Sequence, residues 1–451
     1  MSAPACAVTR APVRRELGHL VRLALPLLVG QLAIVGLAIT DVLMSGRAGT
    51  GQLAGVTLGA TLFDLPMMFL VGVFIANGAL VGRLHGAGDE AGLRRQFHNS
   101  LWLALPIGLA AAALMAALRW LAVDGLDAGQ EAKAVARGYL LPMIATAFVL
   151  PFVLALRTSL EGMGLPNVAM GFNLMGFLVN IPLDYGLIHG HWGLPALGGA
   201  GCGWATLTVV LLIVGGEVLF IRRARRPRQL GLLRRDTEPR RRTLLATLAM
   251  GTPIGGAILA EAGFFHVIPL LVAALGTVAV AAHGVAMSLD MLMFMVPLAI
   301  SQAMTLRIAR ALGGGDGGAA RLCVRVGIRA ALAVALLQSL CYLLLREPLA
   351  ALYSSDSAVT ALAAQLLLVA AAIRPFDALH IAGTGALRGH GDTRSTLVIS
   401  LAAFWLLGFP LCLALVTGGA GVAGAWLAIL AAVTCASAMT LWRVARLVGR
   451  G

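Results

Sequence analysis

Residues 23–46 read LALPLLVGQLAIVGLAITDVLMSG, and the character of this stretch decides the fold. From Leu23 to Thr40 it carries no charged side chain. A bilayer core of roughly 30 Å needs about 20 apolar residues of helix, so the stretch has the length and chemistry of a membrane span. Two residues interrupt it. Pro26 removes a backbone hydrogen bond and permits a kink, either a working hinge or a static bend. Asp41 places a charge at a depth where one costs at least ~2.5 kcal/mol. Arg10, Arg14, Arg15 and Arg22 precede the run, but the run continues past Met44 with Asp41 inside it, which marks a first span rather than a cleaved signal peptide.

The rest of the 451 residues follows the same pattern. Apolar types make up 59% and charged types 12%, against roughly 25% charged in soluble domains. Mean hydropathy is +0.90. A soluble enzyme, a nucleic-acid binder and a disordered scaffold are all excluded by that balance, because so few charges cannot cover a water-facing surface. Twelve bilayer-length stretches are expected, at about 17–44, 52–82, 97–121, 135–159, 167–189, 197–221, 244–272, 278–308, 323–345, 358–384, 396–417 and 420–447. Long unbroken runs exclude an outer-membrane barrel, whose strands alternate in short segments.

The net charge of +14 is concentrated. Residues 222–243 hold ten arginines against Asp236 and Glu238, a basic segment suited to anionic headgroups rather than to a phosphate groove. With the N-terminus inside, 28 of the 34 Lys and Arg fall on the cytoplasmic side and five outside, with Arg374 in mid-span. Both termini are therefore expected in the cytoplasm. The six cysteines are scattered with no metal-binding spacing, and His189 and His191 form an HxH pair without further ligands, so no metal and no cofactor are expected.

One offset, 227, aligns the two halves. It carries Pro26 onto Pro253, Gly49-Thr50 onto Gly276-Thr277, LHGAGD (84–89) onto LGGGD (312–316), and LEGMG (160–164) onto LRGHG (387–391). The chain is an all-α integral membrane protein of twelve transmembrane helices in two pseudo-symmetric six-helix lobes, 1–222 and 244–451, joined by the basic linker 223–243. Parallel halves of this kind are a transporter plan, with the site between repeats near the midplane.

TDVLMSG (40–46), AAHGVA (281–286), GALRGHGDTRSTL (385–397), NIPLDYGLIHG (180–190) and GGAGCGWAT (198–206) resemble the multidrug and toxic compound extrusion (MATE) transporters, the NorM-like bacterial branch above all. The resemblance runs from about residue 17 to 447. It implies antiport at a bacterial inner membrane by a monomer: a cytoplasmic organic cation leaves while a proton or sodium ion enters.

Seven acids lie within the spans: Asp41, Asp64, Asp184, Glu217, Glu261, Asp290 and Asp377. Glu217 is expected to pair with Arg222–Arg223, and Asp64 and Asp290 to lock the second helix of each half by hydrogen bonds. Asn173, Asn180 and Asp184 fall at i, i+7 and i+11, one stripe of a helix that serves either interhelical hydrogen bonding or function. The resemblance implies a cation site at Asp41, Asn180, Asp184 and Thr206, whose oxygens suit a hard cation or a proton. It implies a second coupling site at Glu261 and Asp377. There the chain departs from its relatives: Arg374 stands at i, i+3 to Asp377, and Ile373 replaces a polar aromatic, so Asp377 is either a cation ligand or half of an ion pair. His266 offers Glu261 a weak relay partner.

The expected function is export of lipophilic organic cations, coupled to H⁺ rather than Na⁺ because Arg374 leaves too few free anions in the second half. Two readings compete. A flippase of lipid-linked sugars would need several mid-span cations for pyrophosphate. A membrane-embedded enzyme would need a catalytic motif, and there is no HExxH or GxSxG. The only lysine, Lys133, precedes Ala134, which excludes a phosphate-binding GKS/GKT loop.

Overall fold

The computed structural model describes residues 10–125, 129–232 and 238–449; Cys6 and the centre of the basic linker, 233–237, lie outside the described residues. All regular structure among those residues is helical. Twelve rods follow in chain order: α1 (Arg10–Ala48), α2 (Thr50–Gly86), α3 (Glu90–Ala117), α4 (Gln130–Gly162), α5 (Pro166–His189), α6 (Ala200–Arg223), α7 (Arg241–Ala273), α8 (Thr277–Gly313), α9 (Gly317–Ala351), α10 (Ser357–His390), α11 (beginning at Thr393–Ser400 and running on through Phe409–Leu415) and α12 (Gly421–Gly449). Ten helical stretches among the described residues are long and apolar enough to cross a membrane. The other two rods have plain causes. In α5, Asn167, Asn173, Asn180 and Asp184 dilute a 24-residue helix. The stretch Thr393–Gly449 is continuous in hydrogen bonding but turns at Gly419 (φ +89°) and Gly421 (φ +61°), where only glycine sits without strain. There α11 folds back on α12, with Gly408 against Ala432 and Gly424 against Leu415.

The repeat of 227 is written into the backbone. Gly49 and Gly276, Gly88 and Gly315, and Gly164 and Gly391 all take positive φ, at 141° and 102°, 69° and 76°, and 81° and 83°. Asp89 caps α3 by accepting from Gly92 N at 2.7 Å, and Asp316 caps α9 by accepting from Ala319 N at 2.8 Å. Gly162 lies against Gly78 O and Val81, and Gly389 against Thr305 O and Ile308, so the same small residue seats α4 on α2 and α10 on α8.

Two compact units divide the chain, Met1–Leu28 with Ala260–Gly451, and Val29–Leu259. The seams fall inside α1 and α7 rather than in the basic linker. Packing explains both. The first half of α1 adds Leu20 and Leu27 to the core of the C-terminal unit, and buried Glu16 accepts two bonds from Arg307 of α8, at 3.0 and 2.9 Å. The first half of α7 lies on α2, where Gly251 meets Val73 and Gly255 meets Phe69. It is fixed there by Gln96, whose Nε2 donates to Asn77 Oδ1 and to Thr247 Oγ1, each at 3.0 Å, while Arg240 N donates to Asn99 Oδ1 at 2.8 Å.

Candidate functional site

In the unit Val29–Leu259, α1, α5 and α6 converge on Asp41, Asn180, Asp184 and Cys202, all buried. One carboxylate oxygen of Asp41, one of Asp184 and Cys202 Sγ lie within 4.8 Å of one another. The Cys202 thiol donates to the Asp41 carbonyl at 3.8 Å. Asp41 and Asp184 face each other closely enough to share a hydrogen bond, and Asn180 stands beside Asp41. Yet no donor reaches either oxygen of Asp184 or Asp41 Oδ1, and both amide atoms of Asn180 lack partners. Buried polar atoms are rarely left so. Two facing carboxylates are both acceptors, so they bond only when a proton or a cation stands between them.

The helical stripe expected on α5 does bring Asn180 and Asp184 into this pocket, while Asn173 is buried with its amide against Gly30 of α1. Thr206 is half-buried, one turn beyond Cys202 on α6. Pro26 is buried two residues before the seam in α1. Sequence spacing missed Cys202, and it missed Tyr139 of α4, which packs on Gly59 and Gly203 within electrostatic reach of Asp41 and Asp184. Cys202 lies inside the quoted GGAGCGWAT segment, but no pairing rule relates it to an aspartate 161 residues away.

The C-terminal unit handles its acids differently. Glu261 of α7 accepts from Ser400 Oγ at 2.7 Å and from His380 Nε2 at 3.1 Å, and His380 Nδ1 meets Thr440 Oγ1 at 3.0 Å. His266 is not the partner: its ring bonds the Ala262 carbonyl of its own helix, because five residues turn it about 140° away from Glu261. Arg374 reaches Asp377 at 3.3 Å, as the i, i+3 spacing requires, and also Asp290 of α8 at 2.8 Å. Asp290 is thus held by an ion pair rather than by neutral hydrogen bonds, and Asp64, nearly its counterpart, is exposed on α2.

Glu217 also departs from expectation. It is 1% exposed and its Oε2 has no partner, whereas Arg222 and Arg223 are exposed. It belongs to the buried stripe Val209, Ile213, Glu217 and Ile221, which turns it away from those arginines and toward the Arg157–Glu161 ion pair of α4. His189 and His191 are exposed around Tyr185, with ring centroids 5.1 and 4.9 Å from it, and neither belongs to a cluster of three metal-ligating groups among the described residues.

Known proteins match nearly all of this chain. The MatE family model matches residues 26–186 and 253–414, two blocks whose starts are 227 residues apart. The chain is 36% identical over 455 residues to the multidrug resistance protein PmpM of Pseudomonas aeruginosa, covering 99% of this chain and 95% of that one. It is 34% identical over 434 residues to the multidrug resistance protein MdtK of Pectobacterium atrosepticum, covering 95% of each. A crystal structure of MATE in the bent conformation superposes with a TM-score of 0.88 at 20% identity, covering 97% of this chain and 98% of that one. The outward-facing conformation of a multidrug resistance MATE family transporter also gives 0.88 at 20% identity, covering 96% of each.

Proposed function

The chain belongs to the MATE family of membrane transporters, and we propose that it exports lipophilic organic cations from the bacterial cytoplasm in exchange for protons. It is a transporter and not an enzyme. The two named relatives are multidrug resistance proteins, which supports drug-like cations as the substrate class.

One observation carries the choice of proton: Asp41 and Asp184 face each other with no donor on either oxygen of Asp184. A single proton bridges two such carboxyls without a coordination cage, and its loss leaves two repelling charges that an organic cation or a change of conformation relieves. A sodium site in the C-terminal unit would need free anions beside neutral oxygens. In the C-terminal unit those anions are engaged, Glu261 by His380 and Ser400, Asp377 and Asp290 by Arg374. The same pairing weakens a lipid-sugar flippase, since Arg374 is matched to two carboxylates and has no charge left for a pyrophosphate. On this reading Asp41 and Asp184 load the proton, Asn180 and Thr206 supply neutral oxygens, and the paired groups of the second unit tune it.

The test is export of a fluorescent cation from cells with the pH and sodium gradients imposed separately. Undiminished export at a fixed inward pH gradient in potassium buffer is expected. Export that vanishes without sodium and returns with millimolar sodium at zero pH gradient overturns the proton and restores Asp377 as a cation ligand.

A further inference from the structure

Cys202 is the member of the N-terminal pocket that proton chemistry does not use. Its Sγ lies within 4.8 Å of oxygens from both Asp41 and Asp184, the only such grouping of three metal-ligating side chains among the described residues. Cys202 and Asp184 are both 0% exposed, and the two Asp184 oxygens and the Asn180 amide have no partner. The Asp184 oxygens and Asn180 Oδ1 carry free lone pairs, and one Asp184 oxygen lies within 4.8 Å of both an Asp41 oxygen and Cys202 Sγ. Carboxylates and amides alone suit hard cations, but a thiolate is soft and favours zinc-like ions over sodium, magnesium or calcium. Three protein ligands of the Cys and Asp types, with a fourth position for Asn180 Oδ1 or water, make a four-coordinate site. Metal–ligand bonds of roughly 2.0–2.3 Å allow two ligand atoms to stand at most about twice that distance apart, close to the 4.8 Å within which these three atoms lie.

We propose that Asp41, Asp184 and Cys202 form a binding site for a thiophilic divalent cation, Zn²⁺ or Cd²⁺, whose occupancy excludes the proton from the same two carboxylates. On binding, the S–H bond breaks, a metal–sulfur bond forms and the thiol proton passes to solvent, with no change of oxidation state. The binding half of this inference stands on the pocket geometry alone. The exclusion half rests on the proton reading above.

The binding test is titration of the purified full-length protein in detergent with CdCl₂, followed by the charge-transfer absorption of a cadmium–thiolate bond. One saturable equivalent is expected, at least ~10-fold weaker in Asp184→Asn, while its absorption is lost in Cys202→Ala and Cys202→Ser. Cys323→Ala, which alters a buried thiol elsewhere, should titrate as the unsubstituted protein does. Cys202→Ser keeps the side-chain volume, and unchanged circular dichroism shows that its loss of signal is not loss of fold. Retention of the full signal in Cys202→Ser, or no saturable signal in the unsubstituted protein, overturns the site. For the exclusion half, Zn²⁺ should slow proton-driven export in proteoliposomes, with at least ~10-fold more Zn²⁺ needed for Cys202→Ser. Zinc that binds but leaves export unchanged overturns the exclusion. Export that proves sodium-driven overturns the proton reading and leaves the cadmium titration standing.

Discussion

Asp41→Asn removes a buried negative charge while keeping the shape of the side chain, so it separates coupling from folding. Export of a fluorescent cation should be abolished, with expression and membrane insertion normal by immunoblot of the membrane fraction. Asp184→Asn should do less damage, because the amide keeps a ligand oxygen and adds a donor that Asp41 can accept. Wild-type export by Asp41→Asn would remove the N-terminal pocket from the mechanism. Asp41, Asn180 and Asp184 were legible in the sequence because intramembrane acids are few and because helical periodicity sets Asn180 and Asp184 one turn apart. Cys202 and His380 were not. Each meets its partner across helices, at separations of 161 and 119 residues, and no local period encodes that distance. Arg374 was half legible: its i, i+3 reach to Asp377 follows from the helix, while Asp290 comes from α8.

At the scale of helices, the small residues decide what can lie against what. Gly255 of α7 sits on α2 so closely that an added Cβ would meet the Phe69 carbonyl oxygen at 2.5 Å, and backbone cannot swing aside as a side-chain tip can. Gly215 of α6 has nothing within 4 Å of an added Cβ. Gly255→Ala should therefore destabilise by about 1–3 kcal/mol, seen as a lower unfolding midpoint of the purified protein in detergent. Gly215→Ala should range from neutral to about 1 kcal/mol stabilising in the same measurement, since alanine is the better helix former. Equal effects of the two would show that the α2–α7 seat is not what Gly255 provides. Helix positions were legible from hydropathy, and the paired LHGAGD and LGGGD motifs marked the repeat, while the capping role of Asp89 and Asp316 shows only in the folded chain. The seams inside α1 and α7 were not, because composition marks the basic linker as a boundary, whereas Glu16 and Gln96 fix the halves of these helices through buried bonds.

The whole molecule repeats its frame and not its chemistry. Adding 227 carries Asp41, Asn180, Asp184 and Cys202 onto Ile268, Leu407, Leu411 and Ile429, and subtracting it carries Glu261, Arg374, Asp377 and His380 onto Ile34, Ala147, Leu150 and Val153. Each unit thus holds polar groups where the other is apolar, which agrees with our proposal that the ion is carried at Asp41 and Asp184 while Arg374, Asp377 and Asp290 pair among themselves. The charge asymmetry, 28 basic residues against five, leads us to propose that the basic linker and both termini lie in the cytoplasm. Translocation against the membrane potential and attraction to anionic headgroups both hold arginine-rich segments in the cytoplasm. Arg222, Arg223, Arg240, Arg241 and Arg242 are exposed at the two ends of the linker, as that role requires. Glu238, exposed in the linker, and Pro195, exposed in the connection between α5 and α6, lie at opposite ends of α6. A membrane-impermeant maleimide applied to intact spheroplasts should therefore label Pro195→Cys and not Glu238→Cys, and should label both after permeabilisation. Labelling of Glu238→Cys alone on intact spheroplasts would invert the molecule, place the arginines outside, and reverse the direction of proton movement proposed for Asp41 and Asp184.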